Sequence, residues 1–134
     1  MKKGNSLFTL EADRWYAYEM LPGYAGRYYS PIKIYHVQPL KTGRDILRVR
    51  FHNACYAEGV QGFHLELKVL HRGESYMLAR IENGSSTEDR GVVICQLTWE
   101  WLRTHFGQQV LQRAEELGVR KGAPIEDVVD KVFR

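Results

Sequence analysis

The side chains that most often bind metal ions are few in this sequence. His52 and Cys55 are separated by two residues, and His64 and His71 follow on the next predicted strand. Zinc sites are clearly indicated when two closely spaced ligand pairs occur. Here strand alternation puts His64 on the outer face and His71 on the inner face. We therefore predict no metal site and no cofactor.

Covalent catalysis and nucleotide chemistry also have little support. Cys95 shares a strand face with Val93 and Leu97, which favours a buried thiol, and burial among apolar groups makes a thiol inert. Cys55 lies in a predicted loop close to His52, but neighbours along the chain seldom form a productive dyad. Neither a Gly-x-Ser-x-Gly motif nor a glycine-rich phosphate loop occurs. Binding is therefore expected more than catalysis.

A mixture of basic and aromatic side chains in residues 26–51 points most directly to a ligand. Six Lys or Arg residues in this stretch are opposed by Asp45 alone. Aromatic rings stack on unpaired bases while basic groups follow the phosphates, so the mixture is typical of proteins that bind single-stranded nucleic acid. The candidate binding residues are Arg27, Tyr28, Tyr29, Lys33, Tyr35, Arg48 and Arg50.

The same residues also fit an ordinary solvated sheet face. Tyrosine is common in half-buried strands, and outward arginines keep such a face soluble. The net charge is only +3: residues 1–81 carry twelve basic and seven acidic side chains, and residues 82–134 carry seven and nine. This uneven distribution permits an anionic partner without requiring one.

The elements that must position these residues are predicted from hydrophobic periodicity. The chain has 134 residues, 44% of them apolar, which is typical of one globular domain. Alternation of apolar and polar residues through residue 97 indicates strands, with Gly73 in a turn that suits positive φ. The predicted strands are 15–20, 32–37, 45–52, 63–71, 75–81 and 90–97. The gaps contain no helical pattern of the kind that parallel crossovers need. We therefore predict an antiparallel sheet of about six strands, which can curl into a partial barrel.

Residues 98–134 change to helical spacing. Thr98 is placed as an N-cap, and Gly118 as the residue that ends the helix. Gly107 lies inside this pattern and costs about 1 kcal/mol in a helix interior, so two helices are an alternative to one kinked helix. Pro124 fits the first turn of a final helix. The fold class is therefore α+β, a single domain with a strand-rich part followed by two or three C-terminal helices. One apolar core is expected between the sheet and these helices. Its predicted members are Leu47, Val49, Phe51, Phe63, Leu65, Leu67, Val69, Val93, Cys95, Leu97, Leu102, Phe106, Val129 and Phe133.

The apolar stripe of the final helix predicts self-association. A small domain has little sheet surface left to cover it, and a symmetric homodimer would bury it. The stripe consists of Ile125, Val128, Val129, Val132 and Phe133.

The sequence shows no apolar leader and no run of about 18 apolar residues, so we expect a cytoplasmic protein without a membrane partner. Two cysteines suit a reducing compartment. The expected function is that of a small binding module for single-stranded nucleic acid. The alternatives are a protein-interaction or oligomerising module, and a protein that binds a small ligand.

Overall fold

Six antiparallel strands form a closed barrel in the computed structural model, which describes residues 7–20, 29–41, 45–53, 63–82, 91–120 and 122–133. The strands are β1 Trp15–Met20, β2 Tyr29–Lys41, β3 Asp45–Asn53, β4 Phe63–Arg72, β5 Tyr76–Ile81 and β6 Gly91–Gln96. Each strand pairs with the next along the chain, and β1 also pairs with β6. The predicted antiparallel sheet is confirmed, and it closes completely rather than partially.

Alternate side chains of every strand fill the inside of this barrel. Phe8 and Leu10, from the segment before β1, pack into the same cluster. The buried strand residues of the cluster are Tyr16, Tyr18, Ile32, Ile34, Leu47, Val49, Phe51, Leu67, Met77, Ala79, Val92 and Ile94. A barrel of about eight strands has room inside for side chains or for one small ligand, and this barrel has six. A ligand inside this narrower barrel would therefore have to displace its core.

Three helices cover the outer face of β1, the end of β6 and the beginning of β2. They are α1 Trp99–Phe106, α2 Gln109–Glu116 and α3 Ile125–Phe133. The barrel residues that they cover are Trp15, Ala17, Tyr29 and Cys95 of the strands, and Leu97, which directly follows β6. None of the helices in the described part of the chain is long and apolar enough to cross a membrane.

The helix boundaries follow the local signals in the sequence. The Thr98 Oγ1 atom accepts a hydrogen bond from the backbone N–H of Trp101 at 3.0 Å, as expected of an N-cap. Gly107 has φ of +72° and separates α1 from α2, so the two-helix alternative is correct. Gly118, with φ of +82°, ends α2 as predicted.

The protein has two apolar cores, one inside the barrel and one between the barrel and the helices, whereas the sequence pattern predicted one core. Alternation in β6 suggested that Val93, Cys95 and Leu97 share a core with β3 and β4. Instead Val92 and Ile94 face the barrel interior, and Cys95 and Leu97 pack against the helices. The reason is that both faces of β6 are covered, so alternation alone could not tell which face belonged to which core.

Two β-bulges alter which side chains reach the surface. The extra residues are Tyr35 in β2 and Leu70 in β4, and neither has a partner across the sheet. A bulge shifts the alternation by one residue. His71, predicted on the inner face, is therefore exposed, and Tyr35 and His36 are both exposed.

Gly73, in the turn between β4 and β5, is required by packing rather than by a positive φ. Among the described glycines, positive φ occurs at residues 107, 118 and 122 but not at Gly73. A Cβ atom at Gly73 would overlap the ring of Tyr76. The Gly73 carbonyl accepts a hydrogen bond from the Phe8 N–H at 2.8 Å, so this turn also anchors the segment that precedes β1.

Candidate nucleic-acid interface

The five candidate binding residues that the structure describes do not form one site. The candidates beneath or beside the helices are Tyr29 and Lys33. Those on the side of the barrel that the helices leave uncovered are Tyr35, Arg48 and Arg50. Those that lie outside the described residues are Arg27 and Tyr28.

Tyr29 belongs to an aromatic cluster beneath α1. Its ring centroid lies 4.7 Å from that of His105 and 5.6 Å from that of Phe106. Its hydroxyl donates to the backbone carbonyl of His105 at 3.4 Å. Because α1 already packs on this ring, a base could stack on it only after the helix moved. Tyr29 is therefore left out of the candidate interface.

Lys33 is held by α3. Its Nζ atom lies 3.4 Å from Oδ1 of Asp130, and its side chain is only 19% exposed. The same carboxylate oxygen accepts a hydrogen bond from Trp15 Nε1 at 3.3 Å. The charge of Lys33 is therefore balanced within the chain, and this residue is also left out.

The outward-facing side chains of β2 to β5 form the surface that we call the basic face. Cross-strand register places His36 opposite Arg50, Gln38 opposite Arg48, and Lys68 opposite Arg80. Neighbouring strands lie about 5 Å apart, and residues on the same face of one strand lie about 7 Å apart. The members of the basic face are Tyr35, His36, Gln38, Arg48, Arg50, Glu66, Lys68 and Arg80.

The basic face carries an excess of positive charge after its ion pairs are counted. Arg48 Nη2 lies 3.0 Å from Glu66 Oε2, and Arg80 Nη2 lies 2.9 Å from Oε2 of Glu82 at the end of β5. Within the described residues, Arg50 and Lys68 have no ion-pair partner. Four basic side chains against these two glutamates leave a net charge of +2.

Tyr35 supplies the exposed aromatic ring of the basic face. It is 42% exposed, since alternation from the inward-facing Ile34 already puts it on the outer side of the barrel, and the bulge adds His36 to the same side. His36 is exposed beside it and lies opposite Arg50. Among the described residues, one exposed ring on this face is a smaller stacking surface than the three tyrosines proposed from the sequence.

Two of the histidines that suggested a metal site pack on different aromatic rings. His52 contacts the ring of Trp15, with centroids 6.3 Å apart, and His71 contacts the ring of Tyr76 at 5.7 Å. Cys55 lies outside the described residues. Among the residues that the structure describes, no group of three His, Cys, Asp or Glu side chains could hold a metal ion.

Cys95 is a free cysteine whose thiol is held in its neutral form. Burial beneath the helices, together with the nearby carboxylate of Glu19, raises the pKa of the Cys95 thiol to about 11. A thiol of this kind is a poor nucleophile at neutral pH. The inert, packed cysteine suggested by strand alternation is therefore the better description.

One polar cluster was not found from the sequence. Glu19 Oε2 accepts a hydrogen bond from Trp101 Nε1 at 2.9 Å, and Oε1 lies 3.6 Å from His105 Nε2. The His105 Nδ1 atom lies 2.9 Å from the Trp101 carbonyl, one helical turn earlier. Glu19 and His105 are 86 residues apart in the sequence, so no local spacing could indicate this contact. The cluster joins β1 to α1.

The comparisons with known proteins identify no relative of this chain. No family model, no curated protein and no solved structure matches it.

Proposed function

We propose that this chain binds single-stranded RNA or DNA on the basic face. Arg48, Arg50 and Lys68 contact phosphates, and Tyr35 stacks on a base. The observation that supports this most directly is the strand register, which brings Arg48 and Arg50 into adjacent rows of a face that the helices leave uncovered. A cytoplasmic location, where RNA is available, remains part of the proposal.

The ion pairs of the basic face are compatible with this function. The Arg48 and Glu66 side chains are 43% and 32% exposed. Exposed pairs of this type contribute about 0 to 1 kcal/mol to stability, so a phosphate can replace the glutamate at little cost. Arg50 and Lys68 need no such exchange. A single strand is favoured over a duplex because the described face is a sheet surface, without a projecting helix or ribbon to enter a groove.

A fluorescence anisotropy titration with a labelled single-stranded 15-mer of mixed sequence tests the proposal. Replacing Arg48→Ala and Arg50→Ala together should weaken binding for all sequences. It should also reduce the slope of log affinity against log salt by about 1.4, since each contact to a single strand contributes about 0.7. Tyr35→Ala should weaken binding at least about fivefold with the slope unchanged, because stacking contributes about 1 to 3 kcal/mol per base.

The matched control is the double variant Arg103→Ala and Arg120→Ala. Both arginines are exposed in the C-terminal part of the chain, so the control removes the same charge away from the basic face. It should leave the titration nearly unchanged. An equal loss in both double variants would contradict the proposed site, and the absence of binding at low salt would contradict the function.

Self-association through the helices is a second candidate function, and one groove favours it. Val128 and Val129 of the predicted stripe are buried in their own chain, so this part of the stripe is not available to a partner. Val132 and Phe133 are only half-buried and line a groove of about 430 Å³ between α2 and α3.

The charged residues of this groove, one basic and one acidic, could pair with the same residues of a second copy of the chain. Arg113 and Glu116 line it, with Nη1 and Oε1 3.2 Å apart, and a two-fold axis would let each pair with its counterpart in the other copy. Sedimentation at about 100 μM should then show a dimer if the interface contributes about 8 kcal/mol. Phe133→Ala should return the chain to a monomer. A wild-type monomer at this concentration would contradict the idea.

A further inference from the structure

A cleft separate from the basic face lies where residues 7–14, the start of β1, the end of β6 and the start of α3 meet. Its volume is about 370 Å³, within the range of about 300 to 1,000 Å³ that is typical of small-molecule sites. Phe8, Trp15, Tyr16 and Leu97 line it, and each is at most 9% exposed. The cleft therefore has the size of a small-molecule site, with a mostly polar surface and a smaller apolar floor, and no residue of the basic face contributes to it.

The rim of this cleft is negatively charged. Glu11, Glu74 and Glu126 lie on it together with a single basic residue, Arg14, which gives a net charge of −2. Arg14 lies between two of the carboxylates, with Nε 2.7 Å from Glu126 and Nη1 3.6 Å from Glu11. In the described part of the chain Glu74 has no ion-pair partner. The rim therefore favours a cation.

Among the described residues, a buried hydroxyl that lines the cleft has no acceptor for its hydrogen-bond donor. Tyr16 is 7% exposed, and its oxygen accepts a hydrogen bond from the backbone N–H of Glu11 at 2.8 Å. No described residue accepts a hydrogen bond from the Tyr16 O–H. Burial raises the pKa of this phenol, so its proton is retained at neutral pH. The hydroxyl can therefore donate a hydrogen bond to a ligand that carries an acceptor atom.

We propose that the cleft binds a small organic cation with an apolar body and a hydrogen-bond acceptor. The ammonium or guanidinium group lies at the rim beside Glu74 and Glu11. The apolar body packs on the floor formed by Phe8 and Trp15. An acceptor atom of the ligand receives the O–H of Tyr16. This proposal is independent of nucleic-acid binding, because the two surfaces share no residue.

Three probes of nearly the same shape and different charge test the proposal. They are tyramine, a cation, tyrosol, its neutral analogue, and 4-hydroxyphenylacetate, an anion. Each is titrated into ¹⁵N-labelled full-length protein while the Trp15 indole and Gln96 amide resonances are followed. Tyramine should shift these resonances and bind at least ten times more tightly than the other two. Equal shifts from all three probes, or no shift with tyramine, would overturn the proposal.

Variants locate the site. Glu74→Gln should weaken tyramine binding about threefold, the effect expected of one exposed charge pair. Glu115→Gln is the matched control, because Glu115 is an exposed glutamate on α2 outside the cleft. Tyr16→Phe, checked for an unchanged fold by its spectrum, should also weaken binding. An equal effect of Glu74→Gln and Glu115→Gln would mean non-specific attraction and would overturn the proposal.

Discussion

The outer surface of the barrel has two regions that look alike in sequence and differ in environment. Tyr29 and Lys33 lie where the helices pack, and Tyr35 and Arg50 lie on the basic face. On the first region the ring is enclosed by aromatic side chains and the cation is paired with Asp130. On the second region the corresponding groups face solvent. An alternation of aromatic and basic residues therefore indicates that these side chains point away from the barrel interior. It does not show whether a helix or water covers them.

The largest effect should come from removing the anchor of the helix-covered region. Trp15 is 3% exposed, and its indole N–H donates to Asp130 of α3. Trp15→Ala should lower the free energy of unfolding by about 3 to 5 kcal/mol, the usual result of emptying a buried aromatic site. Urea denaturation followed by circular dichroism measures this. Gln38→Ala, on the basic face, should change stability by less than about 0.5 kcal/mol. Similar values for both variants would remove the distinction between the two regions.

The reactivity of Cys95 should also separate the regions. In a Cys55→Ser background, native protein should react with iodoacetamide at pH 8 about 100 times more slowly than urea-unfolded protein. The reason is that a rise in the thiol pKa from 9.0 to about 11 reduces the thiolate fraction by this factor. A thiol introduced on the basic face by Gln38→Cys, with Cys95→Ser, should react as fast as in the unfolded chain. Equal rates at both positions would contradict the predicted difference.

The same thiol should make stability depend on alkaline pH. The pKa of Cys95 in the folded chain lies above its ordinary value, so the unfolded thiol ionises first as the pH rises. Its contribution to stability is complete below pH 9 and is lost as the pH approaches about 11. Denaturation midpoints measured across this range should fall less steeply for Cys95→Ala than for the wild type. Identical slopes would show that the thiol is not the cause.

A matched pair of tyrosine variants compares the regions directly. Tyr29→Ala should cost about 2 kcal/mol of stability, less than a fully buried aromatic residue, because it removes a half-buried ring from the cluster beneath α1. Tyr35→Ala should cost less than about 0.5 kcal/mol, because its ring is exposed. Thermal denaturation of the two variants and of the wild type measures both losses of stability. A larger loss for Tyr35→Ala would mean that the two environments have been assigned the wrong way round.

The smallest expected effect is on nucleic-acid affinity. Arg50→Ala should weaken binding of the 15-mer a few-fold and reduce the salt slope by about 0.7. Lys33→Ala removes the same formal charge and should change neither quantity, because Asp130 already balances that charge. Equal losses in the two variants would show that Lys33 contributes to the interface in spite of its ion pair.

Local signals predicted the elements of the fold well. The N-cap at Thr98, the break at Gly107 and the end of α2 at Gly118 each depend on backbone conformations and hydrogen bonds within a few residues. Such signals are contained in the sequence around them. The strands were also found, since alternation over six or more residues is a local pattern.

The composition of the site was predicted less completely, for two physical reasons. First, the bulges at Tyr35 and Leu70 shift the alternation by one residue. No residue type in either strand indicates the position of its bulge. Second, the partners that remove Tyr29 and Lys33 from the surface come from α1 and α3, about 76 and 97 residues further along the chain. Contacts at this separation follow from the packing of the helices on the barrel.

The sequence by itself determined the α+β class, an antiparallel sheet of about six strands and a C-terminal part of two or three helices, because periodicity, caps and glycine positions act over short distances. Only the tertiary structure decided that the sheet closes by pairing β1 with β6, that β6 is covered on both faces, and which outward residues stay exposed. These features depend on which apolar faces meet in space. The same alternating pattern is compatible with several ways of covering a sheet, and packing of the complete chain selects one of them.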